Sequence, residues 1–133
     1  MRTLHTFHGG VHPAEHKLES SAQPSTRAPL PQRLIVPLQQ HIGSMAKPLV
    51  QAGDKVLKGQ MIARAEGRMS AALHAPTSGK VVSVDFHPVP HPSGLPEQCI
   101  TIAADGEDSW TERTALDYRA LPRAELLSRL RDA

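Results

Sequence analysis

Apolar positions in this chain rarely recur at helical spacing. They fall in short runs separated by turn residues, and the stretch from Val50 to Val84 shows this best. Gly53-Asp54, Lys58-Gly59 and Ala75-Pro76-Thr77-Ser78-Gly79 punctuate it at intervals too short for helices. Glycine enters positive φ without a Cβ penalty, and proline presets φ near −65° for a turn. The segments between these turns are predicted as strands, with Val56, Ile62 and the Val82/Val84/Phe86 set projecting inward. Leu34-Ile35-Val36 predicts a further short strand that Pro37 keeps from full central pairing, with a turn at Ile42-Gly43. Residues 98–104 alternate as a closing strand, with Ile100, Ile102 and Ala104 on one face and Cys99, Thr101 and Ala103 on the other. Asp105-Gly106 then turns the chain. Residues 87–97, rich in proline and holding His87-Pro88 and His91-Pro92, read as a stiff loop. Only residues 122–132 have a helical pattern, with Leu126, Leu127 and Leu130 as a stripe, Leu121 at the N-cap and Pro122 in the first turn.

These elements predict a mainly β chain in three parts. Residues 1–33 form an extended strap and linker, since 13–33 is polar and rich in Pro and Ser, and Pro29-Leu30-Pro31 favours an extended left-handed form. Residues 34–105 hold the β domain. Residues 106–133 form a linker, with Trp110 and Tyr118 as isolated anchors, and a helix leading toward a further domain. With 12 prolines, 9 glycines and 3% aromatic residues, the core must rest on Val, Ile, Leu and Ala, and a helical bundle is excluded.

Charge changes the picture little. A net +2 and a pI near 9.0, without a dense basic run or an aromatic series for stacking bases, give no case for nucleic acid. The single cysteine, Cys99, excludes an intrachain disulfide and a cluster or zinc site built from this chain's cysteines, and its apolar neighbours predict a buried, inert thiol. The start of the chain lacks the apolar core of a secretory signal, and no apolar run approaches the ~20 residues of a membrane helix.

Candidate chemistry is sparse. His5, His8, His12 and His16 are spaced for one helical face, which would suit a metal, but Gly9-Gly10 and Pro13 oppose a helix there. His41 is a candidate general base, yet no nucleophile or carboxylate is placed to work with it; it and Gln39 and Gln40 are expected to bond the loops internally or to face a neighbouring domain. No catalytic, cofactor-binding or metal-binding residue is assigned, and whether the chain is part of an enzyme stays open at this level.

The pattern G-D-x-V-x-x-G-Q-x-I followed by A-P-x-x-G-x-V resembles the biotinyl/lipoyl half-barrel, the barrel-sandwich hybrid. Carriers of that shape bear biotin or lipoate on a lysine at a hairpin tip. Here the tip falls at Arg68, in Gly67-Arg68-Met69. A guanidinium stays protonated and forms no such amide. The nearest lysines, Lys58 and Lys80, lie at the flanking turns.

Four pieces in order widen the likeness: FHGGVHPAEHK, LIVPLQQHIG, AGDKVLKGQMIA with HAPTSGKV, and HPSGL with DGEDSW. Together they resemble the N-terminal part of the C subunit of the ion-translocating electron transport complex, of the Rnf/Rsx type. The resemblance implies an N-terminal structural or docking domain of a peripheral protein at the cytoplasmic face of the bacterial inner membrane, with the other subunits as partners and no membrane span of its own. It also implies two [4Fe-4S] clusters, with flavin and NADH as further candidates, in full-length members. None of their motifs occurs in this sequence, so no cofactor is expected here. A stand-alone carrier-like or interaction module without a redox role is the competing expectation.

Overall fold

The computed structural model describes residues 9–10 and 13–133. In chain order the elements are α1 (Lys17–Ser21), β1 (Arg33–Pro37), β2 (Lys47–Pro48), β3 (Lys55–Val56), β4 (Met61–Arg64), β5 (Leu73–His74), β6 (Gly79–Pro88), β7 (Pro96–Ala104) and α2 (Arg123–Asp132). The strands form a four-stranded sheet, β1-β7-β6-β3, and a three-stranded sheet, β2-β4-β5. Every paired neighbour is antiparallel.

The core lies between the sheets. Leu38, Val56, Ile62, Val81, Ile100 and Ile102 are each at most 2% exposed, and Ala46, Ala63, Leu73 and Ala75 complete the cluster. Each large aliphatic side chain so buried contributes roughly 1.5–3 kcal/mol over its exposed state. With no aromatic ring inside among the described residues, small side chains set the spacing. Gly79 shows how tight it is: a Cβ there would collide with the Ala103 carbonyl oxygen.

β1 is an edge strand. Leu38 N donates to Gln98 O and Ala104 N to Gln32 O, so the even positions of β1 face β7. Pro37 therefore points its missing N–H outward, which is where an edge strand tolerates proline.

The inward set on β6 differs from the sequence pattern. Val81 is buried, Val84 packs at the core margin, and Val82 and Phe86 are 45% and 66% exposed. The cause is a bulge between Val81 and Ser83 in the pairing with β7. One extra residue breaks the two-residue period, so Val82 is displaced outward. Phe86 keeps the phase of Val84 but lies beyond the end of the core.

Residues 87–97 are also more regular than expected. β6 runs to Pro88 and β7 begins at Pro96, so only residues 89–95 form the loop. Pro88 pairs with Pro96. The odd residues of β7 bond β6, so Pro88-Pro96 is a non-hydrogen-bonded pair, and no ladder bond is lost to proline there.

The strap holds one helical turn, α1, without a side-chain cap; His16, before it, is left-handed at φ 49°. The rest of 22–32 has no regular structure. α2 begins one residue later than predicted, with Pro122 rather than Leu121 at the N-cap position. No helix among the described residues is long and apolar enough to cross a membrane.

Candidate functional site

In a carrier of this shape the chemistry sits at the connection between β4 and β5. Here that connection, residues 65–72, is an irregular loop bent at 67–69, and Arg68 is exposed at its apex. The loop is held down from the side. Ser44 N donates to Met69 O at 2.8 Å, and Ala71 N donates to His41 Nε2 at 2.9 Å. From the far end of the chain, Arg131 Nη2 donates to Gly67 O at 3.0 Å. Gly43 lies so close beneath that a Cβ on it would collide with Met69 O, and its φ is +118°.

The side chains of the 39–44 loop build this clamp. Gln39 Nε2 donates to His41 O and Gly43 O, and Gln40 Nε2 donates to Pro37 O. Because the His41 Nε2 accepts a bond from an amide, its proton resides on Nδ1, which donates to Ile42 O at 3.0 Å. Both ring nitrogens are thus committed to backbone groups. His41 is a structural residue, and these polar side chains bond the loops internally.

The sequence pattern missed a second feature, the strap of residues 105–111. Thr77 and Ser78, both fully buried, tie it down: Thr77 Oγ1 donates to Asp108 Oδ1 at 3.0 Å, and Ser78 Oγ donates to Asp105 Oδ1 at 2.7 Å. Lys58 Nζ reaches Asp108 Oδ2 at 2.5 Å. Backbone bonds from Lys58 N to Ser109 O and from Thr111 N to Lys58 O lay the strap along the turn at Gly59. Trp110 covers Gly59, with Lys58 and Arg113 against its ring at 5.0 and 4.0 Å. Hydrogen bonding by Lys58 and Thr77 holds the Asp108 carboxyl below its usual value, and Ser78 with the Glu107 amide does the same for Asp105. The signal was present as two adjacent buried hydroxyls in a proline-glycine turn and two aspartates 27 and 30 positions beyond Ser78, a separation that local patterning does not join.

Of the remaining candidates, His5, His8 and His12 lie outside the described residues. His16 contacts Glu19, its Nδ1 3.4 Å from Oε1. No group of three His, Cys, Asp or Glu side chains among the described residues is arranged to hold a metal. Cys99 is buried, its thiol donates to Glu97 O, and burial pushes its pKa up, as an inert thiol requires. Lys58 is engaged as described, and Lys80 lies on β6, on the outer side of the large sheet.

What stays open is apolar surface. Phe86 and Leu95 are two-thirds exposed near the end of the β6–β7 hairpin, and Leu127 and Leu130 are exposed on α2. An open groove of about 960 Å³ runs along β1, lined by Ile35, Pro37, Ile42, Val89, Pro90 and His91 among others.

The fold and the apex define a barrel-sandwich shell whose attachment point carries no amine. Residues 5–107 match the family described as the RnfC barrel sandwich hybrid domain, and the chain belongs to that family. It is 53% identical over 134 aligned positions to a Pseudomonas aeruginosa protein named as the C subunit of the ion-translocating oxidoreductase complex. Proteins of the same name from Serratia proteamaculans and Citrobacter koseri are 48% and 47% identical over 128 and 125 positions. These alignments cover 100%, 96% and 93% of the chain and 17%, 18% and 18% of the three relatives. The chain thus spans about a fifth or less of the length of the relatives it matches.

Proposed function

We propose that this chain serves as the N-terminal docking domain of the RnfC protein of an ion-translocating oxidoreductase complex. It acts by shape and surface at the cytoplasmic face of the inner membrane and contacts the other subunits. The [4Fe-4S] clusters, flavin and NADH sites of the full-length protein would belong to the part that this chain does not span. The observation that carries the reading is the apex. Arg68 replaces the acyl-accepting amine of a carrier, and three hydrogen bonds fasten the loop that would have to present it.

Docking fits the exposed apolar side chains as well. Phe86 and Leu95 extend past the core on a proline-stiffened hairpin, and the α2 stripe is only half covered, with Leu126 partly buried. A rigid projection with an apolar end loses little freedom on binding.

The purified chain tests this. It should contain no stoichiometric iron or flavin and should co-purify with the other subunits when they are co-expressed. Stoichiometric flavin in this chain would reject the docking reading, as would failure to associate with any of them. The competing carrier reading predicts an intact mass raised by a covalent group; an unmodified mass removes it.

A further inference from the structure

The outer face of the four-stranded sheet carries a row of cations set directly side by side. Lys55 on β3 is the register partner of Lys80 on β6, Lys80 is the partner of Ala103 on β7, and Ala103 is the partner of Arg33 on β1. Register partners in antiparallel strands share a face, with Cβ atoms about 5 Å apart. The neighbours in sequence, Val56 and Val81, are buried in the core, so this row faces outward, and all three cations are exposed. The residue between Lys80 and Arg33 is alanine, which shields neither.

Like charges placed directly opposite on adjacent strands oppose folding. A fold under selection for stability alone would put a carboxylate in the row. Among the described residues none of the three cations forms an ion pair. The acids that could serve are turned away. Asp54 accepts from Gln51 N within its own turn, Asp105 is held by Ser78, and Asp108 by Thr77 and Lys58. Asp85 lies on the same face two ladder rows along, roughly 13 Å at about 3.3 Å per residue. That exceeds the ~8 Å screening length at physiological salt. Beside the row stand the exposed side chains of Val82, displaced outward by the bulge, and Ile35. The face therefore presents uncompensated positive charge next to apolar contact area.

We infer that the outer face of this sheet, centred on Lys55, Lys80 and Arg33, receives an acidic protein surface on another subunit of the complex. Carboxylates from that surface fill the places the sheet leaves empty, and Val82 and Ile35 supply the dry contact beside them. This inference rests on the docking reading and names the chemistry of one contact within it.

The test uses the full chain with two probes: membranes carrying the other subunits but lacking RnfC, and lipid-only vesicles of phosphatidylglycerol and phosphatidylethanolamine. The wild-type chain should bind the subunit-bearing membranes, lose affinity as salt rises, and bind the lipid vesicles far more weakly. Lys55→Glu/Lys80→Glu should weaken binding about tenfold or more, since it turns attraction into repulsion. Lys55→Ser/Lys80→Ser should bind weakly while its Tm stays equal or rises, because a repulsive pair has gone. Equal binding by wild type and the double Glu variant would overturn the acidic contact and leave docking in place. Equal binding to lipid vesicles would replace the protein partner by anionic lipid. A fall in Tm of the Ser variant would make the lysines structural and overturn the inference too. Absence of wild-type binding to either probe would remove the docking reading along with it.

Discussion

Gly43 shows how much a single position can carry. Its φ of +118° and its approach to Met69 O both exclude a side chain, whereas Gly53, at φ +101°, faces open space. The pair separates backbone strain from collision. Gly53→Ala should destabilise the chain by roughly 1 kcal/mol, the cost of the left-handed conformation. Gly43→Ala should cost about 2–4 kcal/mol, strain and overpacking together. Denaturant midpoints measure both, and equal losses would mean the apex is not clamped. Asp108 carries a pH dependence. Its folded-state pKa lies below the ordinary 3.8, so the folded chain holds that proton less readily than the unfolded chain. The stabilisation is complete above about pH 4 and fades as pH falls through the lowered value. Asp108→Asn should flatten the fall in stability below pH 4 measured by urea titration, and an unchanged slope would assign the acid sensitivity elsewhere. At this scale the sequence revealed Arg68 and the inert Cys99, because each follows from what one side chain can or cannot do. It did not reveal the partners of Asp105 and Asp108, because those bonds join residues far apart in the chain.

The elements were legible where local signals agree. Glycine turns at 53, 59 and 79 bracket β3 and β4 and mark the start of β6, and the short strand before Pro37 is β1. The β6 inward set is not legible in the sequence because a bulge is a property of two paired strands and leaves no mark in the period of one. The β6–β7 hairpin is longer than its sequence suggests because proline counts against a strand locally, while pairing places Pro88 and Pro96 where no bond is needed. Two variants separate the elements that build the core from those that present surface. Ile102→Ala in β7 should cost about 2–5 kcal/mol, as burial without collapse predicts. Leu127→Ser/Leu130→Ser on α2 should change stability by less than about 1 kcal/mol, since both side chains are exposed, while association with the complex weakens. Calorimetry and co-purification report the two effects. The β4–β5 loop gives a third prediction. Arg68→Lys restores an amine but not a free, tight hairpin, so intact mass after co-expression with biotin and lipoate ligases should remain unmodified. Modification would show the clamp to be loose.

At the scale of the whole molecule, two small sheets enclose an aliphatic core, and the 39–44 loop and Arg131 of the terminal helix fasten the loop that a carrier would leave free. The shell shape was readable from turn spacing, and family membership extends it to relatives of whose length this chain covers about a fifth or less. On the proposed docking reading, what it does there depends on surface rather than on a reactive group. Deleting the positions that align with residues 1–133 from a full-length relative tests that reading most directly, with assembly and iron and flavin content measured on the same preparation. The docking proposal predicts that the remainder keeps whatever iron or flavin the intact relative carries but fails to join the complex. A remainder that assembles normally, or one that loses its redox groups, would contradict it.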